Sequence, residues 1–378
     1  ASIGGMVACN ASGARSYLYG PTRKYVEGLK IVLANGDSIT LKRNQIYSKK
    51  RILELTTDNG NLLRIQLPSY SMPKTKNASG YYIEDNMDAI DLFIGSDGTL
   101  GIITEIEIKL MKLPNTIWGV TCFLERNDTI FQFVDDVRRR LRKISSVEYF
   151  DGNALNILKD QKNNSPAFKR LPVISDKAKS AIYLEIHAES EEEAMKELSI
   201  IEKIVNDSNE SALNTWVARN DFDKDKLYFF RHAIPESVNM LIDQRKKAYP
   251  SITKLGTDMS VPNDKLNVVM EMYADMLSKH NLQSAIWGHI GDNHLHVNIL
   301  PNNDEEYKLG KEIYKEWAKS VTILGGAVSA EHGIGKLKSE MLMIMYGDEY
   351  ISEMRALKLQ LDRQVIFGID NLFSSKEV

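Results

Sequence analysis

Residues 285–300 have the sequence AIWGHIGDNHLHVNIL, in which two apolar segments are separated by a short polar turn. This pattern predicts an antiparallel hairpin with strands near residues 285–290 and 295–300. His294 and His296 are two positions apart and therefore share one face of their strand. The hairpin returns that face toward His289. Imidazoles that converge from adjacent strands are typical of a metal site.

A second stretch, SAEHGIG at residues 329–335, places a carboxylate next to an imidazole at Glu331 and His332. Four of the seven histidines of the chain thus fall within residues 289–332. Two His and one Glu would leave a divalent ion with open positions, where it acts as a Lewis acid on a hydroxyl or carboxylate oxygen. His332 would then be free to act as a general base. A lone histidine is more often a satisfied core residue, but the clustering favours a site.

The surrounding sequence predicts an α+β fold. Residues 1–112 are rich in strands and hairpins, with turn signals at residues 35–36 and 58–60. After Pro114 the strands alternate with amphipathic helices, one of which carries Ile130, Phe133 and Val137 on one face. We therefore expect an antiparallel sheet covered on one face by helices.

Two stretches rich in small residues, 2–15 and 95–104, let the backbone approach a flat or phosphorylated ligand closely. Neither has the spacing of a Rossmann fingerprint or a P-loop. A tight structural turn is the alternative explanation for each stretch. Arg231 could bind a carboxylate with two hydrogen bonds, although a solvated arginine is the default interpretation.

Composition excludes several classes of protein. The chain of 378 residues has a net charge of −3, which argues against nucleic-acid binding. It contains no apolar run long enough for a membrane span. Its two cysteines exclude a disulfide scaffold or an iron–sulfur module and are consistent with a reducing compartment, so we expect a cytoplasmic protein. Peripheral attachment to a membrane is the alternative.

Four stretches in order, residues 2–20, 95–104, 288–296 and 329–335, resemble the FAD-dependent 2-hydroxy-acid dehydrogenases of the vanillyl-alcohol-oxidase type. This family includes D-lactate dehydrogenases, the large subunit of glycolate oxidase and D-2-hydroxyglutarate dehydrogenases. The resemblance implies three regions: the second half of a PCMH-type FAD-binding domain at 1–112, a cap domain at 113–335, and C-terminal helices at 336–378 that pack back on the FAD domain. The front half of the FAD domain is expected elsewhere, either in a separate chain or in a piece that was cleaved but is retained.

The resemblance also implies roles for individual residues. His289, His296 and Glu331 would hold a divalent metal (Zn, Mn or Fe), and His332 would take a proton from the substrate. Arg231 would hold the substrate carboxylate. Lys254, which precedes a stretch at residues 257–262 similar to one in D-lactate enzymes, is also expected to be catalytic. The expected FAD contacts are Ser2, Ile3, Gly4, Gly5, Ala8, Asn10, Ala11, Gly13, Gly95, Ser96, Gly98, Gly101 and Ile103.

The implied reaction is oxidation of a small D-2-hydroxy acid, with D-lactate favoured, to the 2-oxo acid. Electrons would pass through FAD to an electron-transfer flavoprotein, an iron–sulfur subunit or a quinone, and we expect a homo-oligomer. The alternatives are a non-catalytic metal-binding module that has lost the flavin half and a metal-dependent hydrolase.

The sequence departs from the family pattern at two places. His294 stands where the family usually has Asn, so it is either an extra ligand or a determinant of substrate choice. Residues 367–373 replace the Asn-Pro-Gly-Lys stretch that commonly contacts the flavin.

Overall fold

A computed structural model describes residues 1–374 of the chain. The first region contains short helices and five strands. In chain order these are α1 (Ile3–Ala8), α2 (Ser16–Tyr19), β1 (Val26–Val32), β2 (Ser38–Lys42), β3 (Ile52–Thr56), β4 (Leu62–Gln66), α3 (Ala89–Phe93) and β5 (Ile102–Ile108). Strands β2, β1 and β5 form an antiparallel sheet in that order, and β3 and β4 form a separate hairpin.

The hairpins predicted for this region are confirmed, whereas its helices were not predicted. Gly36 has a φ of +86°, which the tight turn between β1 and β2 requires of it. Helix α3 begins at Ala89, where the Asp88 side chain caps the helix by accepting a hydrogen bond from the backbone N–H of Ile90. Residues 1–20 contain the short helices α1 and α2.

The remaining elements form one large sheet and seven helices. They are β6 (Thr116–Leu124), α4 (Ile130–Arg140), β7 (Ile144–Asp151), α5 (Gly152–Asn164), β8 (Ser180–Ala188), α6 (Glu191–Asp207), β9 (Thr215–Ala218), α7 (Asp221–Arg245), β10 (Leu255–Gly256), β11 (Met259–Ser260), α8 (Leu266–Lys279), β12 (Ser284–His289), β13 (His294–Ile299), α9 (Asp304–Ile323) and α10 (Ser339–Leu361). The sheet order is β10-β13-β12-β7-β8-β6-β9, with β11 also paired to β13, and its pairings are antiparallel.

Helices lie on both faces of this sheet, not on one as predicted. Successive residues of a strand point to opposite faces, and Cys122 and Phe123 accordingly belong to two different apolar clusters. The cluster with Cys122 contains the buried faces of α4, α6 and α8. The cluster with Phe123 contains those of α5 and α7. Because α5 and α7 cover only part of their face, they leave the polar residues at one end of the sheet free to form a site.

The last helix packs against the first region of the chain. Gln360 of α10 exchanges hydrogen bonds with the backbone of Gln66 on β4, at 2.7 and 3.1 Å. The buried ammonium of Lys358 donates to the carbonyl oxygen of Thr99 at 2.9 Å. The part of the predicted C-terminal region at residues 375–378 lies outside the described residues. Among residues 1–374, no helix combines the length and the apolar character that crossing a bilayer demands.

Candidate active site

The hairpin β12–β13 brings three histidine rings together. His289 is the direct cross-strand partner of His294, and His296 lies two residues further along β13 on the same face. The turn between the strands is tight because Asn293 adopts the left-handed conformation, with a φ of 52°. The ring centroids lie 4.6 to 5.8 Å apart. The predicted convergence of imidazoles from adjacent strands is therefore observed.

A loop from elsewhere in the chain adds Glu331 to these rings. The backbone N–H of Ala330 donates to the carbonyl oxygen of Asp258 at 2.7 Å, which ties the loop to the end of the sheet. The Oε1 atom of Glu331 then lies 3.2 Å from His289 Nε2 and 3.7 Å from His294 Nδ1. One ligand atom from each of His289, His294, His296 and Glu331 falls within 4.8 Å of the others. We call these four residues the His/Glu cluster.

Outer contacts orient the rings of the cluster. His289 Nδ1 lies 2.6 Å from Glu148 Oε1, and His296 Nδ1 lies 3.0 Å from the carbonyl oxygen of Thr257. A carbonyl can only accept a hydrogen bond, so His296 carries its proton on Nδ1 and leaves the Nε2 lone pair free. Metal-binding histidines are commonly held in this way by an outer carboxylate or carbonyl.

The pKa shifts differ between the residues of the His/Glu cluster. Burial favours the neutral ring of His289, but the carboxylates of Glu148 and Glu331 outweigh it and raise its pKa to about 9. Burial and the neighbouring His294 lower the pKa of His296 to about 3. Burial opposes ionisation of Glu331, yet its contacts with His289 and His294 lower its pKa. His296 and Glu331 thus have the protonation states that bind metals, whereas His289 would release a proton when an ion binds.

The donor set fits a divalent ion. His294 is fully buried, and neither of its ring nitrogens has a hydrogen-bond partner within residues 1–374. Buried polar atoms normally have a partner, so an unpartnered imidazole inside a His/Glu set is what a metal site looks like without its ion. The ammonium of Lys76 contacts Glu331 and lies 3.5 Å from Asp292, and so neutralises part of the acidic charge.

His332 lies beside the cluster and is open to solvent. Its ring stacks on that of His296 at a centroid distance of 5.7 Å, and 62% of its side chain is exposed. The buried carboxylate of Asp258 accepts a hydrogen bond from the His332 backbone N–H at 3.1 Å. A side-chain contact with the same carboxylate raises the pKa of His332. This position suits a group that exchanges protons with a bound molecule.

Arg231 approaches the cluster through Glu148. Its Nη2 atom lies 3.6 Å from Glu148 Oε2, and Glu148 in turn holds His289. Arg231 also lines a cavity of about 540 Å³ together with Gly13, Tyr183 and Glu185. The guanidinium therefore borders this cavity, and Glu148 connects it to His289 of the cluster.

Lys254 immediately precedes strand β10, and its ammonium approaches a ring next to the cluster. Its ammonium is 5.7 Å from the centre of the Trp287 ring, and Trp287 is the cross-strand partner of His296. Burial lowers the pKa of Lys254. Its catalytic role stays a prediction.

The two glycine-rich stretches are in direct contact. The backbone N–H of Gly95 donates to the carbonyl oxygen of Val7, and that of Asp97 to Ala8, at 3.0 and 2.9 Å. Ala11 and Gly13 line the cavity of about 540 Å³, and Asn10 lines another of about 400 Å³. Ser12 borders both cavities, and its buried hydroxyl has no partner within the described residues. This backbone-lined, partly unsatisfied surface fits a ligand such as FAD.

Some residues of these stretches also have packing roles. A Cβ added to Gly101 would collide with Ile31 on β1, so this glycine allows close packing of the chain against that strand. The Ser96 hydroxyl donates to the carbonyl oxygen of Phe93 at 2.9 Å. Ser2 caps helix α1 by accepting from Gly5 N–H at 3.1 Å. Their predicted FAD contacts stay predictions.

Four residues near the site were not assigned roles from the sequence: Lys76, Asp97, Glu148 and Asp258. Glu148 is a buried carboxylate in the middle of strand β7. A charged residue among the apolar residues of a strand is unusual, and this signal could have identified Glu148 as a candidate site residue. Asp258 lies in the stretch at residues 257–262 that resembles one in D-lactate enzymes, and Asp97 lies in the glycine-rich stretch 95–104. Lys76 carries no local signal. The contacts of Lys76 and Asp97 near the site are with partners about 255 and 240 residues away in sequence.

Comparisons with known proteins identify the class. A family model described as FAD linked oxidases, C-terminal domain, matches residues 114–368, and a model described as FAD binding domain matches residues 1–42. The first match covers more than half of the chain. The chain therefore belongs to the family of FAD-linked oxidases, and the resemblance seen in the sequence is confirmed.

The chain is similar to several individual proteins over nearly its whole length. The chain is 27% identical to glycolate oxidase subunit GlcD of Bacillus subtilis, with 99% of this chain and 68% of that protein covered. It is 28% identical to the probable mitochondrial D-lactate dehydrogenase of Danio rerio, with 96% and 63% covered. It is 26% identical to D-2-hydroxyglutarate dehydrogenase of Stutzerimonas stutzeri, with 99% and 70% covered. The chain thus spans roughly two thirds of the length of these relatives.

Solved structures confirm the predicted fold class. p-Cresol methylhydroxylase with bound substrate matches 100% of this chain and 70% of its own, with a TM-score of 0.62 and 13% identity. 4-Ethylphenol oxidase from Gulosibacter chungangensis matches 100% and 71%, with a TM-score of 0.59 and 12% identity. At these identities the likeness concerns the fold alone.

Proposed function

We propose that this protein takes part in the FAD-dependent oxidation of a small D-2-hydroxy acid to the corresponding 2-oxo acid, with D-lactate as the favoured substrate. The observation that carries the proposal is the meeting of His289, His296 and Glu331 close to Arg231, which lines the same cavity as the glycine-rich stretch. The names of the relatives, which include dehydrogenases of D-lactate and D-2-hydroxyglutarate, support the substrate class.

Each of the proposed site residues would have a separate role in the reaction. The Arg231 guanidinium would bind the substrate carboxylate, since a guanidinium matches a carboxylate with two parallel hydrogen bonds. His289, His296 and Glu331 would hold a divalent ion, and His332 would accept the hydroxyl proton. When bound, FAD supplies a two-electron acceptor and a divalent ion lowers the pKa of the substrate hydroxyl.

The proposal includes partners that complete the reaction. The two electrons would leave to an electron-transfer flavoprotein, an iron–sulfur subunit or a quinone. The remainder of the FAD site would come from chain outside these residues. We further propose a cytoplasmic homo-oligomer.

A spectroscopic screen tests the proposal. Full-length protein is purified and mixed anaerobically with D-lactate, glycolate, D-2-hydroxyglutarate and L-lactate, and the visible flavin absorption is followed. Bleaching by a D-2-hydroxy acid is expected. A colourless preparation that also binds no added FAD would overturn the proposal in favour of an inactive metal-binding module. Turnover of an ester by colourless, metal-loaded protein would instead indicate a hydrolase.

His332→Ala separates chemistry from binding. This variant should lose substrate-dependent flavin bleaching while retaining the binding of a D-2-hydroxy acid, because the general base is removed and the carboxylate clamp remains. His280→Ala, at the residue that follows α8 and outside the His/Glu cluster, serves as the control. Bleaching at the wild-type rate in His332→Ala would exclude His332 as the base.

A further inference from the structure

We infer that His294 is a fourth protein ligand, so that the metal centre consists of three imidazoles and one carboxylate. This inference rests on the proposed function, because it concerns the same ion that His289, His296 and Glu331 would hold. A fourth protein ligand reduces the number of coordination positions that remain for the substrate. This number determines which metal ions can function in the site.

The first argument is the burial of His294. Its side chain is completely inaccessible to solvent, and both ring nitrogens lack a hydrogen-bond partner within residues 1–374. Leaving a buried polar group unpaired costs roughly 1–3 kcal/mol. A ligand that occupies one of its nitrogens accounts for the imidazole.

The second argument is that each ring of the cluster has one nitrogen facing an outer acceptor. His289 Nδ1 faces Glu148, and His296 Nδ1 faces Thr257. His294 Nε2 lies 2.9 Å from the buried carboxylate oxygen Oδ1 of Asp258, which can accept its proton in a hydrogen bond when the other nitrogen binds an ion. His294 therefore has the same outer support that orients metal-binding histidines.

The third argument is the position of the other nitrogen. His294 Nδ1 lies 3.7 Å from Glu331 Oε1, and this carboxylate oxygen is also 3.2 Å from His289 Nε2. Two nitrogens bound to one zinc-sized ion are separated by at most about 4.2 Å, twice a metal–nitrogen bond. The four donor atoms already lie within 4.8 Å of one another, so adjustments of a fraction of an ångström suffice. The ion would take over the neutralising role that Lys76 has at Glu331.

Four protein ligands have a consequence for the metal. A tetrahedral ion has no position left, whereas a six-coordinate ion keeps two. A 2-hydroxy acid offers two oxygens to a metal, one from the hydroxyl and one from the carboxylate. We therefore expect the site to function with a six-coordinate ion such as Mn²⁺ or Fe²⁺ and to be inhibited when Zn²⁺ fills it.

The test measures metal binding directly. Full-length protein is stripped of metal, and Mn²⁺ binding is followed by calorimetry for the wild type, His294→Asn and His187→Asn. His187 is a buried histidine on the same face of the sheet that contacts Tyr19 and Glu185 instead of the cluster, and so it provides a matched control. His294→Asn should weaken binding by more than ~10-fold, the lower bound for losing even an outer contact. His187→Asn should bind as the wild type does.

A second measurement does not depend on a variant. X-ray absorption of the Mn²⁺-loaded wild type should fit three imidazole ligands on the ion. A fit to two imidazoles, together with unchanged Mn²⁺ binding by His294→Asn, would overturn this inference and leave the proposed function intact. Absence of Mn²⁺, Fe²⁺ and Zn²⁺ binding by the wild type would overturn both. If His294→Asn does not fold, the absorption measurement decides alone.

Discussion

The Nδ1 atom of His289 lies 2.6 Å from the Oε1 atom of Glu148 on the neighbouring strand β7. The antiparallel pairing of Gly288 with Tyr149 sets this contact, because His289, which follows Gly288, then lies opposite Glu148, which precedes Tyr149. Glu148 also lies 3.6 Å from Arg231, so one buried carboxylate links the proposed metal ligand to the proposed carboxylate clamp.

Glu148→Gln should therefore weaken metal binding without removing a ligand. Burial raises the pKa of Glu148, but His289 and Arg231 lower it to about 2, and the charge is lost in the variant. We expect the affinity for Mn²⁺ to fall by about 10–100-fold, as for other outer partners of metal-bound histidines. Calorimetry measures it, with the exposed Glu54→Gln as control. Wild-type affinity in Glu148→Gln would show that the contact is only structural.

Asp97→Asn should loosen the loop that carries Glu331 and His332. The Oδ2 atom of Asp97 accepts hydrogen bonds from the backbone N–H groups of Ile334 and Gly335, at 2.9 and 3.0 Å. Loss of the charge weakens both bonds, and we expect a decrease of about 1–3 kcal/mol in the free energy of unfolding. Amide hydrogen exchange at these two positions should become faster. Unchanged exchange there, with Asp37→Asn in the turn between β1 and β2 as the control, would contradict the role.

Lys358→Met should destabilise the attachment of the last helix. The Lys358 ammonium, 2% exposed, donates to Asp362 Oδ2 and to the carbonyl oxygens of Thr99 and Phe367, at 2.8 to 2.9 Å. Removing one partner of a buried pair leaves the other charge uncompensated, at a cost of about 3–5 kcal/mol. Urea unfolding measures this cost. Lys319→Met, which breaks an exposed pair with Glu316, should cost at most about 1 kcal/mol. Equal effects of the two variants would refute the argument.

Asp151 should make the fold less stable as the pH rises from about 4 to 7. Burial raises the pKa of its carboxyl to about 7, above the value near 4 of an unfolded chain. Between these values only the folded state holds the proton, so the free energy of unfolding falls with increasing pH. In Asp151→Asn, the side chain still accepts a hydrogen bond from a backbone N–H as the cap of α5. The decrease in the free energy of unfolding that Asp151 causes between pH 4 and 7 should disappear in this variant. Parallel unfolding curves at pH 4, 5.5, 7 and 8 provide the comparison, and identical pH dependence of the two proteins would contradict the prediction.

The sequence by itself determined the elements that depend on local patterns. Alternating and helical periodicities identified the hairpin at residues 285–300 and the helix that contains Ile130, because burial of one face imposes those periods. The spacing of His294 and His296 established that they share a face. The resemblance in four short stretches identified the family before any coordinates.

The tertiary structure decided which distant residues meet. Glu331 reaches the histidines through backbone contacts of its loop with Asp258 and Asp97, neither of which is near it in sequence. The unpartnered state of the His294 ring follows from packing on every side, which no local pattern reports. Local periodicity records only which face of an element is buried. The contacts made across that face depend on the register and packing of elements that the chain brings together from far apart.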